Sequence, residues 1–295
     1  MPDYPNLRAF AALAAGRAEL WRTVAGLVMI VVLTATGYRL LGLYLDWRYG
    51  QLIAGAIVWT MLVGQSAGGM LMLLYSFLIP AMAVLATTRF LHDRPAGTLF
   101  GPVPWQAVQD ALRVAMVALG LAVVMLPVAL ADDRVSANLT LVQFVTLLPV
   151  ALPAIAVQVC AEELIFRGYL QQQLAARFRS PMVWMVLPSA LFAAGHFDPD
   201  TFGANAPLVA AWSGLFGVLA SDLTARTGNP GAAIGLHFAT NASALLILGL
   251  SGSLDGLALW VHGVGADAGD LPPLLIVDAL AVVASWLAAR VVLRV

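Results

Sequence analysis

Apolar residues fall in blocks of about 18–25 residues, the length a helix needs to cross ~30 Å of hydrocarbon, rather than in the short alternating segments of a β-barrel. The blocks predict spans near 22–45, 52–88, 106–131, 140–161, 182–197, 206–223, 230–250 and 273–292. Each must be helical, because lipid offers backbone amides no partners. The expected fold class is therefore an all-α polytopic membrane protein of about eight transmembrane helices. The second block is too long for one straight span, and Gly64, Gln65, Ser66, Gly68 and Gly69 interrupt it. One crossing plus a re-entrant piece, or two crossings, would fit it.

Composition agrees with the pattern: 61% of residues are hydrophobic and 11% charged, against roughly 25% charged in an ordinary soluble domain. Every basic residue is an arginine. With the N-terminus cytoplasmic and the second block crossing once, Arg8, Arg17, Arg22, Arg89, Arg94, Arg177, Arg179, Arg226 and Arg294 all fall inside. Asp46, Asp132, Asp133, Asp198, Asp200, Asp255, Asp267 and Asp270 fall outside, with only Arg48 and Arg134 against the trend. The positive-inside rule then places both termini in the cytoplasm, and the arginine and alanine usage suggests a bacterial inner membrane. Three arginines before a run longer than a signal h-region favour a retained first span over a cleaved signal. The single cysteine, Cys160, excludes an internal disulfide and reads as a small packing residue. A net charge of −1 gives no hint of nucleic acid. A Gly- and Pro-rich connector from about Arg89 to Trp105 is the one long cytoplasmic link.

Against this apolar background three polar clusters stand out. The chain has three glutamates, and Glu162 and Glu163 are adjacent at the end of the fourth block. An ionisable group in a bilayer costs roughly 2.5–3.5 kcal/mol or more, so it persists mainly where it is paired or used. On a helix, Glu163 and Arg167 share a face while Glu162 points about 100° away. Arginine can thus neutralise one carboxylate and leave the other facing a cavity. The plainer reading is a helix end emerging into water, continued by Gln171, Gln172, Gln173 and Arg177. The second cluster is Phe192 with His196 at the end of the fifth block, where a lone histidine is ordinarily an interfacial residue. The third is His237 with Asn241, four apart on one face, where the plainer reading is interhelical hydrogen bonding. His92 and His262 read as solvated loop residues. Asp278 and Arg290 in the last span would pair elsewhere or snorkel toward the two faces.

Taken together the clusters bring two carboxylates, an arginine, two imidazoles and an amide to three helices. A glutamate near a histidine can take a proton from water and make it a nucleophile, while His237 and Asn241 can donate to a tetrahedral oxyanion. That is the chemistry of amide hydrolysis. A zinc ion held by Glu162, His196 and His237 is the competing account, and it has no H-E-x-x-H spacing to support it. Two non-hydrolytic classes also use membrane helices with buried polar groups: an immunity factor or scaffold for a peptide partner, and a proton-coupled transporter. Transporters commonly show matching broken helices in two halves, and only one half of this chain is polar.

At these residues the chain resembles the CPBP intramembrane proteases, also called the Abi or CAAX-protease family, which includes the Ras-converting CAAX endopeptidase. The family's E-E-x-x-x-R, F-x-x-x-H and H-x-x-x-N motifs are matched, in order, by Glu162-Glu163 with Arg167, by Phe192 with His196, and by His237 with Asn241. The match covers roughly residues 106–250 as a catalytic core. Residues 1–105, the N-terminal helices and connector, and 251–295, the outer loop and last helix, are less diagnostic. The resemblance implies an eight-helix fold with a polar intramembrane cavity open to the cytoplasmic side and to lipid. It implies that Glu162 and His196 activate water, that His237 and Asn241 stabilise the oxyanion, and that Glu163 and Arg167 support them, with no cofactor required. The implied partner is a membrane-attached peptide or protein: a prenylated C-terminus, a bacteriocin precursor or a sorting segment.

One feature of the spacing resists this picture. Counting about 1.5 Å per residue, straight spans would not bring Glu162, His196 and His237 to one depth. Either Pro149 and Pro153 restart the fourth helix and place Glu162 deeper, or tilt and irregular ends make up the difference; a restart near Pro153 is the expected remedy.

Overall fold

The computed structural model describes residues 4–295. Its helices are α1 (Pro5–Ala12), α2 (Leu20–Tyr49), α3 (Gln51–Val63), α4 (Ala67–Ser76), α5 (Leu78–Phe90), α6 (Pro104–Ala129), α7 (Leu141–Glu163), α8 (Gln172–Arg177), α9 (Leu187–Gly195), α10 (Pro199–Phe202), α11 (Ala206–Thr227), α12 (Gly231–Ala242) and α13 (Leu271–Leu293). Wide π-helical turns at Leu164–Gln171, Met182–Val186 and Ser243–Ile247 extend α7 into α8, lead into α9 and follow α12. Among the described residues six continuous helical stretches are long and apolar enough to cross a membrane, and three shorter apolar ones accompany them. The fold is all-α and polytopic. To it the structure adds a small sheet of three-residue strands, β1 (Val135–Ala137), β2 (Leu248–Leu250) and β3 (Trp260–His262), ordered β1-β3-β2, with β1 antiparallel and β2 parallel to β3.

The second apolar block divides at Gly64, whose left-handed backbone (φ 65°) ends α3. Ser66 then caps α4 by accepting from the Gly69 amide. Only the stretch from Ala67 to Phe90 is long enough to cross. The intervening turn is tied to the loop after β2, with the Leu254 and Gly256 amides donating to the Val63 and Gly64 carbonyls.

The arginines and aspartates assigned to opposite sides gather at opposite ends of the bundle. Arg17 pairs with Asp93, Arg22 donates to the Leu91 carbonyl, and Asn6 donates to that of Arg226. At the other end Arg134 joins Asp132 to Asp270, and His262 meets Asp132. His262 is therefore a buried member of an ion-pair network, not a solvated loop residue. The Arg134 hydrogen bonds, with a smaller contribution from His262, hold the Asp132 carboxyl well below the usual carboxylate range.

The restart at Pro153 is contradicted. Residues 141–163 form one unbroken helix containing both Pro149 and Pro153. Two missing N–H donors four residues apart lie on one face, and neighbouring helices can resatisfy freed carbonyls in a membrane. The prolines free the carbonyls of Val145 and Pro149, and the Tyr75 hydroxyl of α4 packs alongside them, donating to the adjacent Val150 carbonyl. What the spacing argument lacked was length, because the helix does not end at Ala161 but runs on to Arg177. Glu162 thus lies about 22 Å from that end, and His196 about 21 Å from Met182 on the returning helix. The two limbs of this hairpin carry their side chains to the same level.

The glutamines that the plainer reading places in water accompany the continuation of the helix instead. Gln171, Gln172 and Gln173 are all buried. Gln171 donates to the Ser221 carbonyl, and Gln172 donates to those of Phe10 and Thr98 while accepting from Arg94. Gln173 meets His92, whose Nε2 lies 2.8 Å from the Tyr169 hydroxyl. His92 is accordingly a buried connector residue, and burial pushes its imidazole below the usual range. A glutamine can satisfy an orphan backbone carbonyl without bringing a charge inside, which makes it suited to this junction.

α12 is placed by small residues. Gly231 and Gly235, four apart, lie on the Ala107 and Ala111 carbonyls of α6, so close that a Cβ at either would collide with backbone. This is the small-x-x-x-small logic of membrane helix packing. The Asn229 side chain donates to Asp110 on α6 and accepts from the Gly231 amide, fixing the start of α12. Replacing Gly235 by leucine is expected to destabilise the fold by about 1–3 kcal/mol or more through overpacking against backbone that cannot yield. Thermal unfolding in detergent would check it, and an unchanged midpoint would contradict this packing.

Candidate active site

Glu163 sits on the last turn of α7 with its side chain wholly buried, and Arg167, in the π-helical continuation, is 1% exposed. Arg167 Nη1 donates to Glu163 Oε1 at 2.8 Å, and Nη2 donates to the Gly217 carbonyl of α11 at 3.2 Å. Three phenyl rings surround the guanidinium, with centroids 5.0 Å (Phe192), 5.8 Å (Phe216) and 5.9 Å (Phe166) from its carbon. A cation held among aromatic faces gains roughly 0.5–2 kcal/mol per such contact. The carboxylate supplies the charge balance that a buried cation requires.

That pair also fixes His237. Its Nδ1 lies 2.8 Å from the same Glu163 Oε1, so the ring donates from Nδ1 and turns Nε2 outward. Nε2 lies 3.6 Å from Glu162 Oε2. The adjacent glutamates therefore differ in environment: Glu163 is enclosed with Arg167, and Glu162 faces a pocket of about 220 Å³. Glu162 Oε2 has no hydrogen-bond partner in the protein.

His196 follows the last residue of α9. Its Nδ1 lies 2.8 Å from the Phe192 carbonyl, which makes Nδ1 the donor and leaves Nε2 a free lone pair. The Phe192 ring packs on it at 4.3 Å and also meets Phe216 and His237. The F-x-x-x-H spacing thus has a physical content. Phe192 at once orients His196 through its carbonyl and shields Arg167 through its ring.

On α12, the Asn241 amide donates to Gln158 Oε1 at 2.7 Å and retains a second N–H. Glu162, His196, His237 and Asn241 all line the one pocket, together with Gln158, Phe192 and Asp278. Gln158 and Asp278 were not singled out as site residues from the sequence. Gln158 was legible, because it stands four residues before Glu162 on the same face of an apolar helix. Asp278 had the cost of a mid-span carboxylate as its signal, but nothing in the sequence told which neighbour it would face.

Among the described residues, no three His, Cys, Asp or Glu side chains converge as a metal-binding group. In this arrangement His237 Nδ1 is committed to Glu163 and His196 Nδ1 to a carbonyl, so each ring would have only Nε2 to offer a metal.

Comparison with known proteins places this geometry in a family context. An uncharacterized protein of Bacillus subtilis (strain 168), YyaK, is 28% identical over 176 residues, which span 57% of this chain and 56% of the relative. No solved structure matches. Residues 144–243 match the family described as "Type II CAAX prenyl endopeptidase Rce1-like", and it is to this family that the chain is similar over that segment, which contains all six charged and polar motif residues.

Proposed function

We propose that this protein is an intramembrane endopeptidase that hydrolyses a peptide bond of a membrane-attached protein or peptide. The observation that supports it most is the convergence of Glu162, His196, His237 and Asn241 on one pocket, with the Glu163–Arg167 pair behind them. The segment's Rce1-like character adds support from the family side.

In this reading a water held between Glu162 and His196 Nε2 attacks the scissile carbonyl carbon while its proton passes to Glu162. The carbonyl oxygen becomes an oxyanion, met by the free N–H of Asn241 and by the Nε2–H of a doubly protonated His237 whose Nδ1–H stays on Glu163. Collapse breaks the C–N bond, and the proton returns from Glu162 to the leaving amine. General-base assistance of this kind contributes about 10²–10⁴-fold, and each oxyanion donor about 10²–10³-fold. No step needs a metal, and dialysis against a chelator is expected to leave turnover unchanged. Chelator-sensitive activity restored by zinc would overturn that part of the mechanism.

We further place the chain in a bacterial inner membrane, with the arginine-rich end and both termini cytoplasmic, following the positive-inside rule. Substrates of suitable chemistry are a prenylated C-terminus, a bacteriocin precursor or a sorting segment. The test is cleavage of membrane-anchored peptides by the full chain in liposomes, read by mass spectrometry. Cleavage that requires Glu162 supports the proposal. Failure to cleave any of the three classes, or cleavage that survives Glu162→Gln, would overturn it.

A further inference from the structure

Asp278 lies within α13, outside the segment matched to the family, and its carboxylate lines the same pocket as Glu162, His196 and His237. Its flanking residues Ile276, Val277 and Leu280 are exposed apolar side chains of a span-length helix, so the carboxylate stands alone on a lipid-facing stretch. A charge there is costly unless something meets it. Yet no arginine forms an ion pair with it among the described residues. The other charges of the pocket do not compensate it either, since Arg167 is spent on Glu163 behind the pocket wall. The protein-side neighbour is Trp212, which lines the pocket beside Asp278 and carries an indole N–H donor. An N–H donor beside an open carboxylate orients it and leaves its remaining lone pairs for a second donor.

We propose that Asp278 is a specificity-determining residue that receives a cationic side chain, lysine or arginine, of the substrate close to the scissile bond. The inference rests on the proteolytic reading for its meaning, but not for its test. Glu162 and Asp278 present carboxylates to the pocket and its lining holds no arginine or lysine; of its two imidazoles, His237 is committed to Glu163. A cationic substrate group supplies the missing positive charge, whereas a substrate carboxylate at that position meets two negative charges in a poorly screened site.

The experiment measures binding rather than turnover, using full-length protein carrying Glu162→Gln, reconstituted in neutral-lipid vesicles. The probes are three palmitoylated, fluorescently labelled octapeptides of alanine and leucine that differ in one central residue: lysine, glutamine or glutamate. The expected result is at least tenfold tighter binding of the lysine peptide than the glutamine peptide, and the weakest binding for glutamate. Asp278→Asn should bring the lysine-to-glutamine ratio to about one, and Asp278→Lys should invert the lysine-to-glutamate preference. Equal affinity for all three peptides, no binding of any, or a preference untouched by Asp278→Asn would each overturn the proposal. If binding follows Asp278 but the protein with Glu162 intact cleaves nothing, the proteolytic reading fails while this assignment of Asp278 stands.

Discussion

Substituting glutamine for Glu162, or alanine for His196, is expected to lower kcat by about 10²–10⁴-fold, the range for loss of a positioned general base. The fold should survive both changes. Glu162 Oε2 makes no hydrogen bond within the protein, and His196 contributes only a ring on Phe192 and one bond to a neighbouring carbonyl. The two should also be non-additive, because a water held by both loses its function when either is removed. Single-turnover assays on the single and double variants would check this. Turnover within a factor of a few of the parent protein in either single variant would mean that water is activated elsewhere.

The second large effect is on stability. Arg167→Ala leaves the Glu163 carboxylate buried with His237 as its only remaining polar partner, and breaking a buried pair in this way costs about 3–5 kcal/mol. Three phenyl rings would also border an empty space. Removing both charges with Glu163→Gln and Arg167→Met should recover most of that stability, since the penalty comes from the uncompensated charge rather than from the loss of the bond itself. Turnover should remain depressed in the double variant, because the charge-assisted anchor for His237 Nδ1 is gone. A double-mutant cycle on thermal unfolding reads the coupling. Additive effects would show that the pair is not an energetic unit.

The contrast between the two glutamates shows how far the sequence carries. A 100° turn per residue separates Glu162 from Glu163 and puts Arg167 beside the latter, which is local helix geometry and needs no tertiary information. The apolar block lengths likewise set the helices, because a bilayer permits little else. The depth of the site was not legible in the same way. Whether the fourth helix stopped at Ala161 depended on whether Gln171, Gln172 and Gln173 met water or buried partners, and those partners, the carbonyls of Ser221, Phe10 and Thr98 and the His92 ring, lie far away in the chain. His92 and His262 were misplaced for the same reason. A polar residue near a helix end has the same sequence signature whether it faces solvent or a partner from another segment.

The sequence by itself determined a membrane-spanning helical chain, the sidedness pattern of its arginines, and three polar motifs whose spacing is internal to single helices. Tertiary structure alone decided that these motifs face one pocket. Phe192 could be given work only once Arg167, His196 and His237 stood around it. Asp278 could be read only once α13 had been laid against that pocket. Periodicity reports which face of a helix is polar, and it is the packing of one helix on another, set here by contacts such as Gly231 and Gly235 on α6, that determines what that face meets.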